Sequence, residues 1–150
     1  MTTAEKPWNM PMTSEAEGLG GEGRETEYSP LYFDIGGENP SICYFVSADT
    51  MGQGDRDLGY DLLTKFFITM ADKCMHPDYI VLINAGVNLA KESSPCAQAF
   101  RSMEKRGTKV LVSKESVSFY ELGSEMKLGI LSSLEEILIV LNGIDKVVSL

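Results

Sequence analysis

Residues 42–63 constrain the fold of this chain more than any other part of its sequence. A short apolar run from Ile42 to Val46 is typical of a buried strand, and a loop containing Gly52 and Gly54 follows it. Beyond the loop, apolar residues recur at helical spacing: Leu58, Leu62, Leu63, Phe66, Phe67 and Met70. We therefore predict a strand, a tight loop and a helix. The loop lies at the carboxyl end of the strand, where open α/β sheets bind their ligands.

The alternation of strand and helix continues to the end of the sequence. Five strands are predicted, over residues 42–48, 79–84, 109–112, 127–131 and 147–148. Four helices are predicted, over about 55–74, 94–107, 117–123 and 132–143. The last of them opens on the spacing of a capping box, from Ser132 to Glu135. This order predicts a three-layer α/β domain with a parallel five-stranded sheet and right-handed crossovers.

The first 40 residues differ in composition from the remainder. They hold eight acidic and two basic residues, which is a net charge of −6 out of −9 for the whole chain. Because residues 15–27 contain almost no apolar side chains, this segment is predicted to be disordered or loosely packed. Trp8 and the aromatic run at 28–33 fit either a clip on the domain surface or a docking peptide for a partner. We therefore divide the chain into an acidic segment, 1–40, and a folded domain, 41–150.

Charge and cysteine content argue against several classes of function. The net charge of −9 is unfavourable for nucleic-acid binding, which needs a basic surface. The sequence has no apolar run of about 20 residues, so no membrane span is predicted, and it lacks the pattern of a signal peptide. Three separated cysteines and one histidine fit a reducing compartment and make a zinc site improbable. We expect a cytoplasmic protein with no metal and no cofactor.

Cys96 is the cysteine with the clearest chemical potential. It falls in the first turn of the second predicted helix, where unpaired amides and the helix dipole can lower a thiol pKa. Cys43 is expected in the core and Cys74 is expected to pack at the end of the first helix. Ser113 and Ser116 are expected to cap the helix that follows them, since a serine nucleophile needs a general base. For Cys96, an idle buried thiol and a sulfur carrier both remain open.

The glycine loop, residues 49–55, is a poor phosphate cradle. It lacks the P-loop pattern, and no third glycine completes a dinucleotide fingerprint. Asp49, Asp55 and Asp57 would repel phosphate, and Arg56 offsets only part of that repulsion. We therefore interpret the loop as a structural turn that frames another site. A flavodoxin-like phosphate or nucleotide site is the alternative.

Four segments match the pattern of a known family. They are residues 44–55 with Leu58-Gly59, residues 83–89, residues 107–112, and Leu128-Gly129. Together they resemble the C-terminal DsrE-like domain of YedF, a family described as sulfurtransferase-like proteins of selenium metabolism. The resemblance covers residues 42–150 and implies a DsrE-type α/β/α fold. It also implies a homo-oligomer, as trimer or hexamer, and a protein partner in a sulfur-relay or selenium pathway.

The turn after the third strand departs from that family. Where the family pattern resembles Cys-Gly-Thr-Cys, this chain has Ser113-Lys114-Glu115-Ser116. Serine cannot hold a transferable sulfane sulfur, so the resemblance implies a non-catalytic binding or regulatory member with a degenerate site. The other residues expected to line this site are Met51, Gly52, Gln53, Gly54, Asn84, Gly86 and Asn88. Sulfur transfer through Cys96 and binding of a small ligand or nucleotide are the alternatives.

Overall fold

The structure, a computed structural model, describes residues 39–150. Its strands are β1 Ile42–Val46, β2 Tyr79–Leu82, β3 Lys109–Ser113, β4 Ile130–Ser132 and β5 Lys146–Ser149. Its α-helices are α1 Arg56–Asp72, α2 Ala97–Lys105, α3 Lys114–Phe119 and α4 Leu134–Gly143, and 3-10 helices lie at Asn84–Ala90 and Gly123–Glu125. By the clustering of its internal contacts, the chain divides into two units, Met1–Pro40 and Ser41–Leu150. The predictions made for the acidic segment lie almost entirely outside the described residues.

The five strands form one parallel sheet in the order β4-β3-β2-β1-β5. From β1 to β4 each connection moves one strand in the same direction, and α4 then returns the chain to the free edge of β1. Right-handed crossovers therefore place α1, α2 and α3 on one face and α4 on the other. The predicted three-layer arrangement with a parallel five-stranded sheet is confirmed.

Two cores of unequal size hold the layers together. In the larger one, between the sheet and α1 and α2, Phe67 and Phe100 are fully buried with ring centroids 5.0 Å apart. The smaller core, under α4, contains four buried side chains: Cys43, Val81, Leu111 and Ile137. Cys43 is thus a core residue, as predicted, and its burial raises the pKa of the thiol to about 11.

The segment after β2 is more regular than predicted. Residues 85–88 fall between the predicted second strand and second helix, where a loop is expected, but they lie inside the 3-10 helix Asn84–Ala90. Four of its residues are buried, namely Gly86, Val87, Leu89 and Ala90. This short helix contacts β2, β3 and α3 and therefore lies over the carboxyl edge of the sheet.

Several predicted element starts are wrong by one to three residues, and for two of them local backbone geometry gives the reason. The fourth strand begins at Ile130 rather than at residue 127, because Gly129 has a φ of +82° that interrupts an extended backbone. The capping box before α4 lies one residue later than predicted. Ser133 is the N-cap, and its hydroxyl accepts a hydrogen bond from the backbone N–H of Glu136 at 3.2 Å.

Candidate functional site

The serine turn, residues 113–116, lies at the carboxyl end of β3, and its side chains form hydrogen bonds with other groups of the same turn. Ser113 caps α3 as predicted, because its hydroxyl oxygen accepts from the backbone N–H of Ser116 at 3.1 Å. The Ser116 hydroxyl donates to the Ser113 oxygen at 3.0 Å, and Ser113 donates to a carboxylate oxygen of Glu115 at 3.3 Å. Both hydroxyl protons of the turn are therefore bonded within the turn.

Asn84 joins this turn to the end of β2. Its backbone N–H donates to the Ser116 hydroxyl oxygen at 2.7 Å, and its side-chain carbonyl accepts from the Tyr120 hydroxyl at 3.1 Å. Asn84 has a φ of +51°, in the left-handed region that asparagine adopts more readily than most residues. The structure thus brings together the loops after β2 and β3. Sequence reasoning missed Tyr120, because nothing in the local pattern pairs it with Asn84.

Gly86 and Asn88, also predicted to line the site, support the backbone beneath it. A Cβ on Gly86 would lie 2.4 Å from the carbonyl oxygen of Val46, so only glycine lets the 3-10 helix pack on the end of β1. The side-chain amide of Asn88 donates to the carbonyl of Ala85 at 3.1 Å. Both residues shape the carboxyl edge through contacts made inside the protein.

The glycine loop is held by contacts of its own. The backbone N–H of Met51 donates to the carbonyl of Gly59 at 3.0 Å, and a Cβ on Gly59 would lie 3.0 Å from the Met51 carbonyl oxygen. Three predicted site residues of this loop are exposed: Gly52, Gln53 and Gly54. The hydrogen bonds made by Asn84 join the loop after β2 to the loop and helix after β3. Within residues 39–150, no hydrogen bond joins the glycine loop to the serine turn.

The charges of the glycine loop are already paired. The carboxylate of Asp49, which is buried, lies 3.0 Å from the guanidinium of Arg56. The carboxylate of Asp55 caps α1 by accepting from the backbone N–H of Leu58 at 2.8 Å. Asp55 therefore occupies the position at which a phosphate would meet the start of this helix. This geometry favours the structural interpretation of the loop over a phosphate cradle.

Cys96 is fully buried at the start of α2. Burial raises the pKa of its thiol, and the neighbouring hydroxyls of Thr64 and Ser94 offset only part of this effect. The net effect is opposite to the lowering that a helix start can give, because burial takes the thiolate out of water. The protonated thiol is the weaker nucleophile.

Cys74 is exposed, which corrects the prediction that it packs in the fold. It has a φ of +59°, and its sulfur accepts from a guanidinium nitrogen of Arg106 at 3.3 Å. It lies between the end of α1 and the start of β2, at the amino edge of the sheet. The serine turn occupies the opposite edge, so Cys74 and the turn belong to different ends of the domain.

Glu115 connects the serine turn to the start of α4. Its own backbone N–H is the largest cause that lowers the pKa of its carboxyl, and the Leu134 N–H, the Ser113 hydroxyl and the Lys114 charge act in the same direction. Desolvation, the second-largest cause, opposes them and raises the pKa, but the net shift is downward. Since α3 and α4 lie on opposite faces, the crevice between β3 and β4 is the switch point of the sheet, where α/β folds bind ligands. Glu115 lies at that crevice.

We predict that Glu115→Gln lowers the melting temperature at neutral pH. The folded-state pKa of Glu115 lies below its unfolded value, so the ionised form contributes stability above about pH 4.3 and loses it as the pH falls through the folded-state value. The difference between variant and parent should therefore shrink to zero in acid, as measured by thermal melts over a pH series. Glu121→Gln, at another exposed glutamate, is the matched control. A pH-independent difference would contradict this assignment.

Residues 39–150 lack two further kinds of feature. They contain no cluster of three or more histidine, cysteine, aspartate or glutamate side chains that could hold a metal ion. None of the helices in this part of the chain has the length and apolar character needed to cross a membrane.

Comparisons with known proteins bear on the fold. No protein-family model matches this chain, and no curated protein matches it in sequence. Among solved structures, the crystal structure of the ychN protein from E. coli aligns with a TM-score of 0.54 and 12% sequence identity. The alignment covers 74% of this chain and 99% of that one. At this identity the likeness concerns architecture alone, and the architecture of this chain is a DsrE-like α/β/α fold with a parallel five-stranded sheet.

Proposed function

We propose that this protein is a YedF-related, DsrE-fold binding or regulatory protein of sulfur or selenium metabolism that does not itself carry sulfur. The serine pair is the observation that carries this proposal. Ser113 and Ser116 stand where the family pattern has cysteines, and their hydroxyls bond to each other. A hydroxyl oxygen cannot form the S–S bond of a persulfide, so sulfur transfer cannot pass through this turn. The fold and the segments shared with the family support the pathway assignment.

The cysteines of residues 39–150 do not replace the missing pair. Cys43 and Cys96 are fully buried, and burial raises the pKa of both thiols. Cys74 is exposed but lies at the amino edge of the sheet. No cysteine in this part of the chain is both exposed and placed at the carboxyl edge. Sulfur transfer through Cys96 is therefore the weaker candidate.

The surface around the serine turn is better suited to binding a protein partner than to catalysing a reaction. Lys114 and Glu115 are exposed charged side chains on the turn, and Phe119, at the end of α3, is 79% exposed. An exposed aromatic ring beside polar groups is a typical anchor for a protein partner. We therefore place the contact with a sulfur-pathway or selenium-pathway partner at this edge.

The proposal is tested by exposing the folded protein to a polysulfide donor and locating sulfane sulfur by mass spectrometry. Cys74→Ser is used as the parent, since an exposed thiol reacts regardless of function. We expect no sulfur on Cys43 or Cys96 in the folded protein, and modification of both after unfolding as the positive control. Sulfur on Cys96 of the folded protein would contradict the proposal and favour the sulfurtransferase alternative.

A further inference from the structure

Phe119 exposes most of its aromatic ring to solvent. It is the last residue of α3 and is 79% exposed. Its ring meets the Tyr120 ring edge to face, with centroids 5.1 Å apart and an interplanar angle of 89°. The Tyr120 hydroxyl is in turn bonded to Asn84, so this neighbouring ring is held in place. Because most of the Phe119 ring stays in water, the side chain contributes little to the core.

Glu115 lies beside Phe119 on the same side of α3. Residues four apart in a helix are neighbours, with Cβ atoms about 5–6 Å apart. Helix α3 runs from Lys114 to Phe119, so Glu115 stands one turn before the ring. Glu115 is exposed at the crevice between β3 and β4. An aromatic ring and a carboxylate are therefore presented to solvent side by side.

Two exposed leucines extend this surface around the edge of the sheet. Leu134 is 62% exposed, and its backbone N–H lies close enough to the Glu115 carboxylate to lower the pKa of that carboxyl. Leu131 is 48% exposed on β4, the edge strand next to β3. It is in register with Val112, a residue of the larger core, so it faces the same side as α3. Helix α3 has only six residues and leaves this part of the strand uncovered.

The Phe119 surface, defined as Glu115, Phe119, Leu131 and Leu134, has the size of an interaction site. Its three apolar side chains together expose on the order of 300 Å². The largest apolar patch on a typical single chain is about 300–600 Å² and is often functional. The surface is therefore large enough to anchor a partner segment.

The charges around the Phe119 surface are mainly negative. Glu135 and Glu136 follow Leu134 in the first turn of α4, and Lys114 precedes Glu115. Among residues 39–150, neither Glu115 nor Glu135 forms an ion pair. Three carboxylates and one ammonium group attract a cation and repel an acidic peptide or a nucleic acid.

We propose that the Phe119 surface binds an apolar, arginine-containing segment of a protein partner. The guanidinium of that arginine stacks on the Phe119 ring and pairs with the Glu115 carboxylate, while apolar side chains of the segment cover Leu131 and Leu134. Arginine suits both contacts, because its planar guanidinium stacks on aromatic rings and bonds a carboxylate through two N–H groups. The compact, strongly hydrated ammonium of lysine lacks this planar fork. The inference rests on the proposed function, since it specifies the chemistry of the partner contact at this edge.

The full chain is tested with a short fluorescein-labelled peptide that alternates arginine with leucine, and binding is measured by fluorescence anisotropy. Peptides with lysine or glutamate in place of arginine are compared with it. We expect the arginine peptide to bind, the lysine peptide to bind about 5-fold more weakly, and the glutamate peptide not to bind. Phe119→Ala and Glu115→Gln should each weaken binding of the arginine peptide about 10-fold. Circular dichroism verifies that each variant is folded.

Matched substitutions separate this contact from general attraction to an acidic protein. Asp72→Asn removes an exposed carboxylate at the end of α1, and Leu62→Ala shortens an exposed leucine of the same helix. Both should leave binding of the arginine peptide within about 2-fold of the parent. Phe119→Leu keeps an apolar side chain but removes the ring, so it should abolish the preference for arginine over lysine. Because one arginine contacts both side chains, the losses in Phe119→Ala and Glu115→Gln should be less than additive when combined.

The opposite results would overturn the arginine contact. Absence of binding at about 1 mM peptide would do so, as would equal affinity for the arginine and lysine peptides. Equal weakening in Asp72→Asn would show that only the net charge matters and would overturn it as well. Sulfur labelling of the Cys74→Ser protein is read separately. Sulfur on Cys96 would overturn the proposed function and leave peptide binding intact, whereas a failure of peptide binding would overturn the arginine contact alone.

Discussion

Gly86→Ala should lower the free energy of unfolding by about 4 kcal/mol or more, or prevent folding. The added Cβ would lie 2.4 Å from the carbonyl oxygen of Val46 and 3.1 Å from its carbonyl carbon. Both are backbone atoms at the end of β1, so no side-chain rotation relieves the clash. The same carbonyl accepts a hydrogen bond from the backbone N–H of Ile83 at 3.0 Å. Moving the 3-10 helix away from β1 would therefore also weaken that bond.

Gly54→Ala is the matched control for this prediction. A Cβ on Gly54 would have no atom within 4 Å, and its backbone is not in the left-handed region. We expect a change within about 0.5 kcal/mol, measured for both variants by denaturant titration. If Gly86→Ala proves as mild as Gly54→Ala, the close packing of the 3-10 helix on β1 is wrong.

Placing cysteines at positions 113 and 116 should allow the protein to take up sulfur, which the parent does not do. In the Cys74→Ser background, Ser113→Cys/Ser116→Cys is expected to take up sulfur from a polysulfide donor, because position 116 is only partly buried and gives the donor access to the pair, although position 113 is buried. The two oxygens lie 3.0 Å apart, and the backbone N–H of residue 116 points at the atom that sulfur would replace on residue 113. A persulfide formed on one cysteine can be attacked by the other thiolate, which forms a disulfide and releases hydrosulfide. Persulfide and released hydrosulfide are therefore counted together.

Glu115 should slow this restored reaction. Its carboxylate lies 3.3 Å from the Ser113 hydroxyl, so it would repel a thiolate placed on residue 113 and raise the pKa of that thiol. Adding Glu115→Gln to the restored variant should speed sulfur uptake several-fold at neutral pH. Ser118→Cys, a single exposed cysteine on the same helix, is the control for general thiol reactivity. An exposed cysteine reacts with the donor by itself, so the rates are compared, and an equal rate of uptake in Ser118→Cys would show that the turn contributes nothing.

The sequence predicts the parts of the fold that follow from local pattern. The runs that became β1, β2 and β3 are continuously apolar because both faces of a parallel sheet are buried, and this signal is strong. The start of β4 could not be read in this way, since only the backbone reveals the positive φ of Gly129. For Cys96, an idle buried thiol and a sulfur carrier could not be distinguished from the sequence, and the reason is tertiary. A helix start lowers a thiol pKa, but the sequence does not show that this start is buried.

Prediction of the candidate site from the sequence is limited in the same way, because tertiary contacts leave no local pattern. The cap made by Ser113 is local and was predicted, whereas the bond from Asn84 to Ser116 spans 32 residues and has no local signal. The glycines that carry the family resemblance have structural roles in this fold. Gly52 has a φ of +81°, and Gly59 and Gly86 make contacts that a side chain would obstruct. These glycines therefore indicate a shared backbone, and the chemistry depends on the serine turn.

We propose that this fold keeps the position of a sulfur-carrying turn but lacks the carrier atoms. The most direct test of this claim is the amount of sulfur taken up per chain by the Cys74→Ser protein, with and without cysteines at 113 and 116. We predict no uptake by the folded parent and uptake approaching one sulfur per chain by the restored variant. Uptake on Cys96 of the parent, or none by a restored variant with an unchanged melting temperature, would contradict the claim.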